Sequence, residues 1–169
     1  AYPQRGYRNF QSVPPLVVQS LLFIENRELL DPRYPHRNPA VEWDRLGYAV
    51  AQRMLIWSSG VRSPGGSTLA TQMEKYRHSP GGRTGSAAEK LRQMASASLR
   101  AYLSGDRTLA VRQQIVVDYL NTMPLAAASG VGEVFGVGDG LQIWYGADFD
   151  DVNRRLRQLS HDAESLSAR

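Results

Sequence analysis

The sequence predicts an all-α domain, and three observations carry that expectation. Apolar residues recur at three- and four-residue spacings along most of the 169 residues, and no segment alternates cleanly with a period of two. Helix start and stop signals punctuate the chain at intervals suited to ordinary helices. The length fits one domain on a soft prior of roughly 150 residues, and a chain of that size buries a core without staples. Hydrophobic residues at 42% and charged residues at 21% are ordinary globular usage, which excludes wholesale disorder.

The first helix is expected from about Pro14 to Leu29, with prolines in its opening turn and Asp31-Pro32 beyond its end. A proline-bearing loop follows over 31–39. Asn38 then has the character of an N-cap with Pro39 at the first helical position. The next helix would present Trp43, Leu46, Val50, Met54 and Trp57 on one face, a stripe suited to burial or, through its aromatic ends, to a membrane surface. Two Ser-Pro-Gly-Gly segments at 63–66 and 79–82 bracket a short helix. Ser86-Ala87-Ala88-Glu89 has the form of a capping box and opens another helix that ends near Gly105. Thr108 can cap a helix running through Tyr119 and Leu120. Residues 124–140, rich in Gly and Ala, predict a close-packed turn and a short helix. From Asp151 the tail is amphipathic, with Val152, Leu156, Leu159, Ala163 and Leu166 as its expected apolar stripe. The organisation read from the sequence is an extension or linker over 1–12, a domain over 13–150 and a C-terminal helix over 151–169.

Cysteine is absent, which excludes disulfide scaffolds, thiolate zinc sites and cysteine nucleophiles. His36, His78 and His161 lie too far apart for a local metal motif, and no metal-ligating residue is assigned. The net charge of +4 and the pI near 9.6 suit a polyanion, a phosphate-bearing ligand or an acidic membrane surface. Nucleic acid is set aside, because interleaved aromatics and a recognition motif are missing. The longest charge-free stretch, Phe10 to Ile24, is short of the about 20 apolar residues that cross a bilayer. The chain opens on Ala1 and reads as a piece of something longer.

Three segments could carry chemistry. Glu25 follows an apolar helical run, where partial burial would suit a general base or acid, although on spacing alone a solvated glutamate paired with a nearby arginine is the plainer reading. In Gly65-Gly66-Ser67-Thr68-Leu69-Ala70-Thr71-Gln72-Met73-Glu74-Lys75 the glycines admit a ligand close to the backbone, and Ser67 or Thr68 opens a helix whose N–H groups favour anions. Thr68, Gln72 and Lys75 share one face there, and Leu69, Met73 and Tyr76 form the adjoining apolar face. The spacing is neither a P-loop nor a nucleophile elbow. Third, Lys90 and Gln93 share a face in Glu89-Lys90-Leu91-Arg92-Gln93, with Arg83 in the preceding glycine-rich loop. Cations at 75, 83, 90 and 92 could hold a diphosphate or simply form a solvated basic face.

Taken in order, these segments resemble the peptidoglycan glycosyltransferases of glycosyltransferase family 51, the polymerising domains of bifunctional penicillin-binding proteins and their monofunctional relatives. The family pattern E-D-x-x-F is met by Glu25-Asn26-Arg27-Glu28-Leu29, and G-G-S-T-[IL]-T-Q-Q-L-x-K-N by residues 65–76. R-K-x-x-E is met by Glu89 to Gln93, and I-L-E-x-Y-L-N by Ile115 to Asn121. A Gly/Ala-rich stretch then leads through Gly132-Glu133-Val134-Phe135-Gly136 to Trp144-Tyr145-Gly146.

The resemblance implies a lysozyme-like helical fold with a smaller membrane-contacting jaw at residues 36–64. It implies lipid II, a disaccharide-pentapeptide on undecaprenyl diphosphate, and the growing glycan chain as partners. It places the domain at the extracytoplasmic face of the inner membrane, as part of a larger membrane-anchored protein. Glu25 would be the general base and Gln93 would stand at the second catalytic position. Ser67, Thr68, Gln72, Lys75, Arg83 and Lys90 would bind substrate, with a divalent cation (Mg or Mn) able to bridge the diphosphate. The sequence departs from the family at Asn26, Leu29, Ala70-Thr71, Tyr76, Glu89, Gln93 and Val117. A binding module that keeps the cleft without turnover is therefore the alternative, and a lysozyme-like hydrolase using Glu25 as acid ranks behind both.

Overall fold

Side-chain caps set some of the helix ends, and proline and glycine set others. The structure, a computed structural model, describes residues 5–41, 68–78 and 86–167. Those residues form six α-helices: α1 (Pro15–Glu25), α2 (Leu69–His78), α3 (Ala87–Tyr102), α4 (Leu109–Thr122), α5 (Gly136–Tyr145) and α6 (Phe149–Ser167). No strand occurs among them, only isolated bridges pairing Pro124 with Phe135 and Ala128 with Gly132. The all-α expectation holds. The helix expected from Trp43 to Trp57, and most of the 36–64 jaw, lie outside the described residues.

Two units divide the chain, one of residues 1–30 and 113–169, the other of residues 31–112. In the first, Asn9 and Ser12 cap a 3-10 turn reciprocally, and Pro15 opens α1 where no N–H is needed. α1 stops at Glu25, a turn short of the expected Leu29. The reason is Asn26, whose extended backbone leaves the helix and whose Oδ1 accepts the Glu28 N–H at 2.9 Å. Asparagine offers the backbone this local alternative to the helical ladder.

The core of the first unit is built on Val116, Val117 and Leu120 of α4, Val18 of α1 and Val134. Glycines let α5 approach neighbouring backbone. Gly136 has φ +74°, and a Cβ there would lie 2.3 Å from the Asn121 carbonyl oxygen; at Gly138 it would lie 2.0 Å from that of Arg5. Asn121 clasps Tyr7 with both side-chain atoms, Oδ1 accepting its N–H and Nδ2 donating to its carbonyl, each at 2.8 Å. The Tyr7 ring packs 5.0 Å from Phe149, and its hydroxyl donates to Asn153 Oδ1 at 2.9 Å.

That last contact corrects the face expected for the tail. Among the described residues of α6, Phe149 and Asn153 are buried and Val152 and Leu156 of the expected stripe are half-buried, while Leu159 is 58% exposed and Ala163 is exposed. A polar Asn at the buried position, with Tyr7 as its partner, rotates the helix away from the purely apolar stripe. Arg157 on the same helix donates to the carbonyls of Gln11 and Ser12.

In the second unit the proline-bearing loop is fastened carbonyl by carbonyl, as buried backbone requires. Thr108 is fully buried; its hydroxyl donates to Arg37 O at 2.6 Å and its N–H to Pro35 O at 2.8 Å. The Arg112 Nη2 donates to Tyr34 O at 2.7 Å, and burial pushes that guanidinium's pKa down. Tyr102 Oη donates to His36 O at 2.9 Å. Asn38 accepts the Ala40 N–H at 2.9 Å, the geometry of a cap, with Pro39 between. Asp31 is clamped by the Arg33 guanidinium and backbone N–H, which hold its carboxyl down at about 2.

Burial pushes the Tyr7 phenol up to about 12 from 10.0, against the opposing pull of Asn153. The folded state therefore favours the neutral phenol, a contribution complete below pH 10 and lost as the pH rises through about 12. A spectrophotometric titration should show one late tyrosine that Tyr7→Phe removes. The same variant should lose about 1 kcal/mol in urea unfolding at neutral pH, because Asn153 Oδ1 loses its donor.

Candidate active site

The glycine-led segment enters α2 through a reciprocal cap. Thr68 N donates to Thr71 Oγ1 at 2.8 Å, and Thr71 N donates to Thr68 Oγ1 at 3.3 Å. Threonine at the third helical position thus does what Glu or Gln does in a capping box. Thr68 is 6% exposed, so its hydroxyl is a structural cap in this structure. Leu69, Ala70 and Met73 are buried beside it, whereas Tyr76, expected on the same apolar face, is 45% exposed.

One turn on, Glu74 is 2% exposed, and its carboxylate joins α2 to α3. Ser96 Oγ donates to Glu74 Oε2 at 2.8 Å, and Arg100 Nε lies 3.0 Å from Oε1. A buried carboxylate persists only with such partners. Sequence reasoning missed this group: nothing local distinguishes Glu74 from a solvated helix glutamate, and its partners lie on another helix.

The Glu74 contact sets how the neighbouring side chains lie. Lys75 and Gln72 of α2 are half-buried. On α3, capped by Ser86 Oγ accepting the Glu89 N–H at 3.1 Å, Gln93 is 7% exposed and Lys90, one turn earlier, is exposed. Gln93 shares its inward face with Ala97 and Ala101 and stands one turn before Ser96. α2 and α3 pack directly, so the motif residues of these two helices occupy one helix pair. Ser67 and Arg83 lie outside the described residues.

Glu25 belongs to the other unit. It is the last residue of α1, half-buried, between exposed Ile24 and the Asn26 turn, with the Arg27 guanidinium 4.1 Å above the Phe23 ring. Asn26 does its structural work through Oδ1, an atom that an Asp would supply equally.

A family model described as Transglycosylase matches residues 1–160. The chain belongs to the transglycosylase family, glycosyltransferase family 51. No curated protein matches it. Membership makes this transglycosylase domain one of peptidoglycan glycosyl transfer, in a family of extracytoplasmic, membrane-associated domains. Among the described residues no helix is long and apolar enough to cross a membrane.

A divalent cation fits these residues poorly. Among the described residues no three His, Asp or Glu side chains cluster, Glu74 is committed to Ser96 and Arg100, and Gln93 carries no charge. Magnesium bound with few protein ligands relies on substrate phosphates for the rest. Lys75, Lys90 and Arg92 are cations carried by the α2–α3 pair.

Removing Arg100 takes a cation from the buried Glu74 carboxylate. Arg100→Ala should therefore cost about 1–3 kcal/mol in urea unfolding, discounted because Arg100 is 53% exposed. Glu74→Leu combined with Arg100→Met should recover most of that loss, since an apolar pair no longer buries a charge.

Proposed function

We propose that this transglycosylase polymerises lipid II, with Glu25 as general base and Lys75 and Lys90 meeting the donor's diphosphate. Glu25 takes the proton of the acceptor sugar's 4-hydroxyl as that oxygen attacks the anomeric carbon of the growing chain. The bond from that carbon to the diphosphate oxygen breaks, undecaprenyl diphosphate leaves with the electron pair, and the anomeric centre inverts. Negative charge grows on the departing oxygens, and fixed cations stabilise it most where water is excluded. Ser67, Gln72 and Arg83 complete the substrate contacts in this reading, Thr68 at the start of α2 holds the helix that carries Gln72 and Lys75, and Gln93 stands at the second catalytic position. The family match over residues 1–160, with Glu25, Lys75 and Lys90 at motif positions, carries it.

Two side chains favour reduced turnover as a second reading. Gln93 keeps the shape of a glutamate and can hydrogen-bond, but its buried amide supplies no charge. Asn26 holds its turn and is likewise neutral. The loss of an acid–base or electrostatic group costs roughly 10²–10⁴ in rate. On that reading the domain grips a lipid-linked diphosphate sugar and turns it over slowly or not at all.

Fluorescent lipid II in detergent or liposomes separates the two. Wild type should make glycan ladders that Glu25→Gln abolishes. Asn26→Asp with Gln93→Glu should raise the rate tenfold or more if the departures limit turnover. Silence from wild type and the double variant, with lipid II binding that Lys75→Ala removes, would replace the polymerase by the binding module.

A further inference from the structure

α2 and α3 bury a charge where a plain helix pair buries apolar side chains alone. Glu74 is 2% exposed, and Ser96 and Arg100 reach its carboxylate from two different turns of α3. A buried ion pair replaced by apolar side chains of similar size commonly leaves a protein as stable or more so. Stability alone therefore gives no reason for a charge at this place. Its position supplies one. Lys75 follows Glu74 directly on α2, and Lys90 precedes Ser96 and Arg100 on the same helix, α3. The carboxylate thus joins the two backbones that carry these lysines, and contacts at two turns help fix both the rotation and the lengthwise offset of the pair. A lysine is a point charge on a flexible stem, so the spacing of two ammonium groups is only as definite as that of the backbones beneath them.

We propose that Glu74 and Arg100 determine specificity: by holding α2 and α3 at one offset, they match Lys75 and Lys90 to a diphosphate in preference to a monophosphate. The inference rests on the reading of those two lysines as diphosphate ligands. Two cations at a set spacing engage both phosphoryl groups of a diphosphate at once. A monophosphate meets one of them and leaves the other to water, and specificity is that difference in affinity. Glu74 and Arg100 act through the lysines, as positioning residues, and need not touch the ligand.

The test titrates the full chain with farnesyl diphosphate and with farnesyl monophosphate in a calorimeter, and the ratio of the two affinities is the readout. A partly unfolded variant loses both affinities alike, so the ratio does not respond to a loss of stability. Glu74→Leu with Arg100→Met removes one acid and one base, which leaves the net charge at +4 and the general attraction for anions in place. Wild type should prefer the diphosphate by about tenfold or more, and the double variant should lose about threefold or more of that preference while melting near wild type. Arg100→Lys, which keeps a cation beside Glu74, should retain most of it. An undiminished ratio in the double variant would overturn the role of the pair and leave the lysines as diphosphate ligands. A wild type that binds both compounds equally would overturn the proposal as well. A wild type that binds neither would sink the reading of the lysines on which it rests.

Discussion

A buried carboxylate orders the second unit. Ser96 and Arg100 reach the buried Glu74 from α3, and those bonds help fix how α2 is rotated against its neighbour. Lys75 follows Glu74 directly in the chain, and Gln93 stands one turn before Ser96. The rotation that satisfies the carboxylate therefore sets the direction of the motif side chains on both helices. A lysine on a flexible stem meets a phosphate well only if its backbone is held, and this contact holds it. In the first unit, Tyr7 has a comparable structural part. Its backbone is clasped by Asn121 and its hydroxyl by Asn153, so the chain's start, α4 and α6 are joined through one aromatic residue.

Three positions read from the sequence as departures from the family pattern do structural work in this chain. Asn26 ends α1 through an oxygen that either Asp or Asn provides, and Thr71 closes the cap of α2 where the family carries glutamine. Gln93 is buried at the position that the resemblance aligns with an acid. Each replacement conserves shape or hydrogen bonding and removes charge or length. Such replacements preserve a fold more readily than a rate, because packing depends on volume and partners whereas catalysis depends on where charge develops.

Much of this was legible in the sequence because it is local. Helix starts at Pro15, Ser86 and the residue after Thr68 follow from caps written within four residues, and the glycines at 136, 138 and 140 announced a close-packed turn and helix. What failed to show was long-range. The end of α1 at Glu25 depended on one Asn side chain choosing the backbone over the helix. The buried face of α6 turned on a tyrosine near the other end of the chain, so Leu159 faces outward and Asn153 inward. Glu74 was not singled out, because its partners Ser96 and Arg100 are 22 and 26 residues away and on another helix. Single motifs in this chain are weak; their order carried the family, and the match over residues 1–160 agrees with it.

The proposed function makes α2 and α3 one platform for a diphosphate. A double-mutant cycle tests it most directly: calorimetric binding of a soluble prenyl diphosphate to wild type, Lys75→Ala, Lys90→Ala and the double variant. If both lysines hold the same ligand on a platform aligned by Glu74, each single variant weakens binding. The pair then departs from additivity by about 0.5 kcal/mol or more. Binding that neither substitution changes, or losses that simply add, would contradict a shared site.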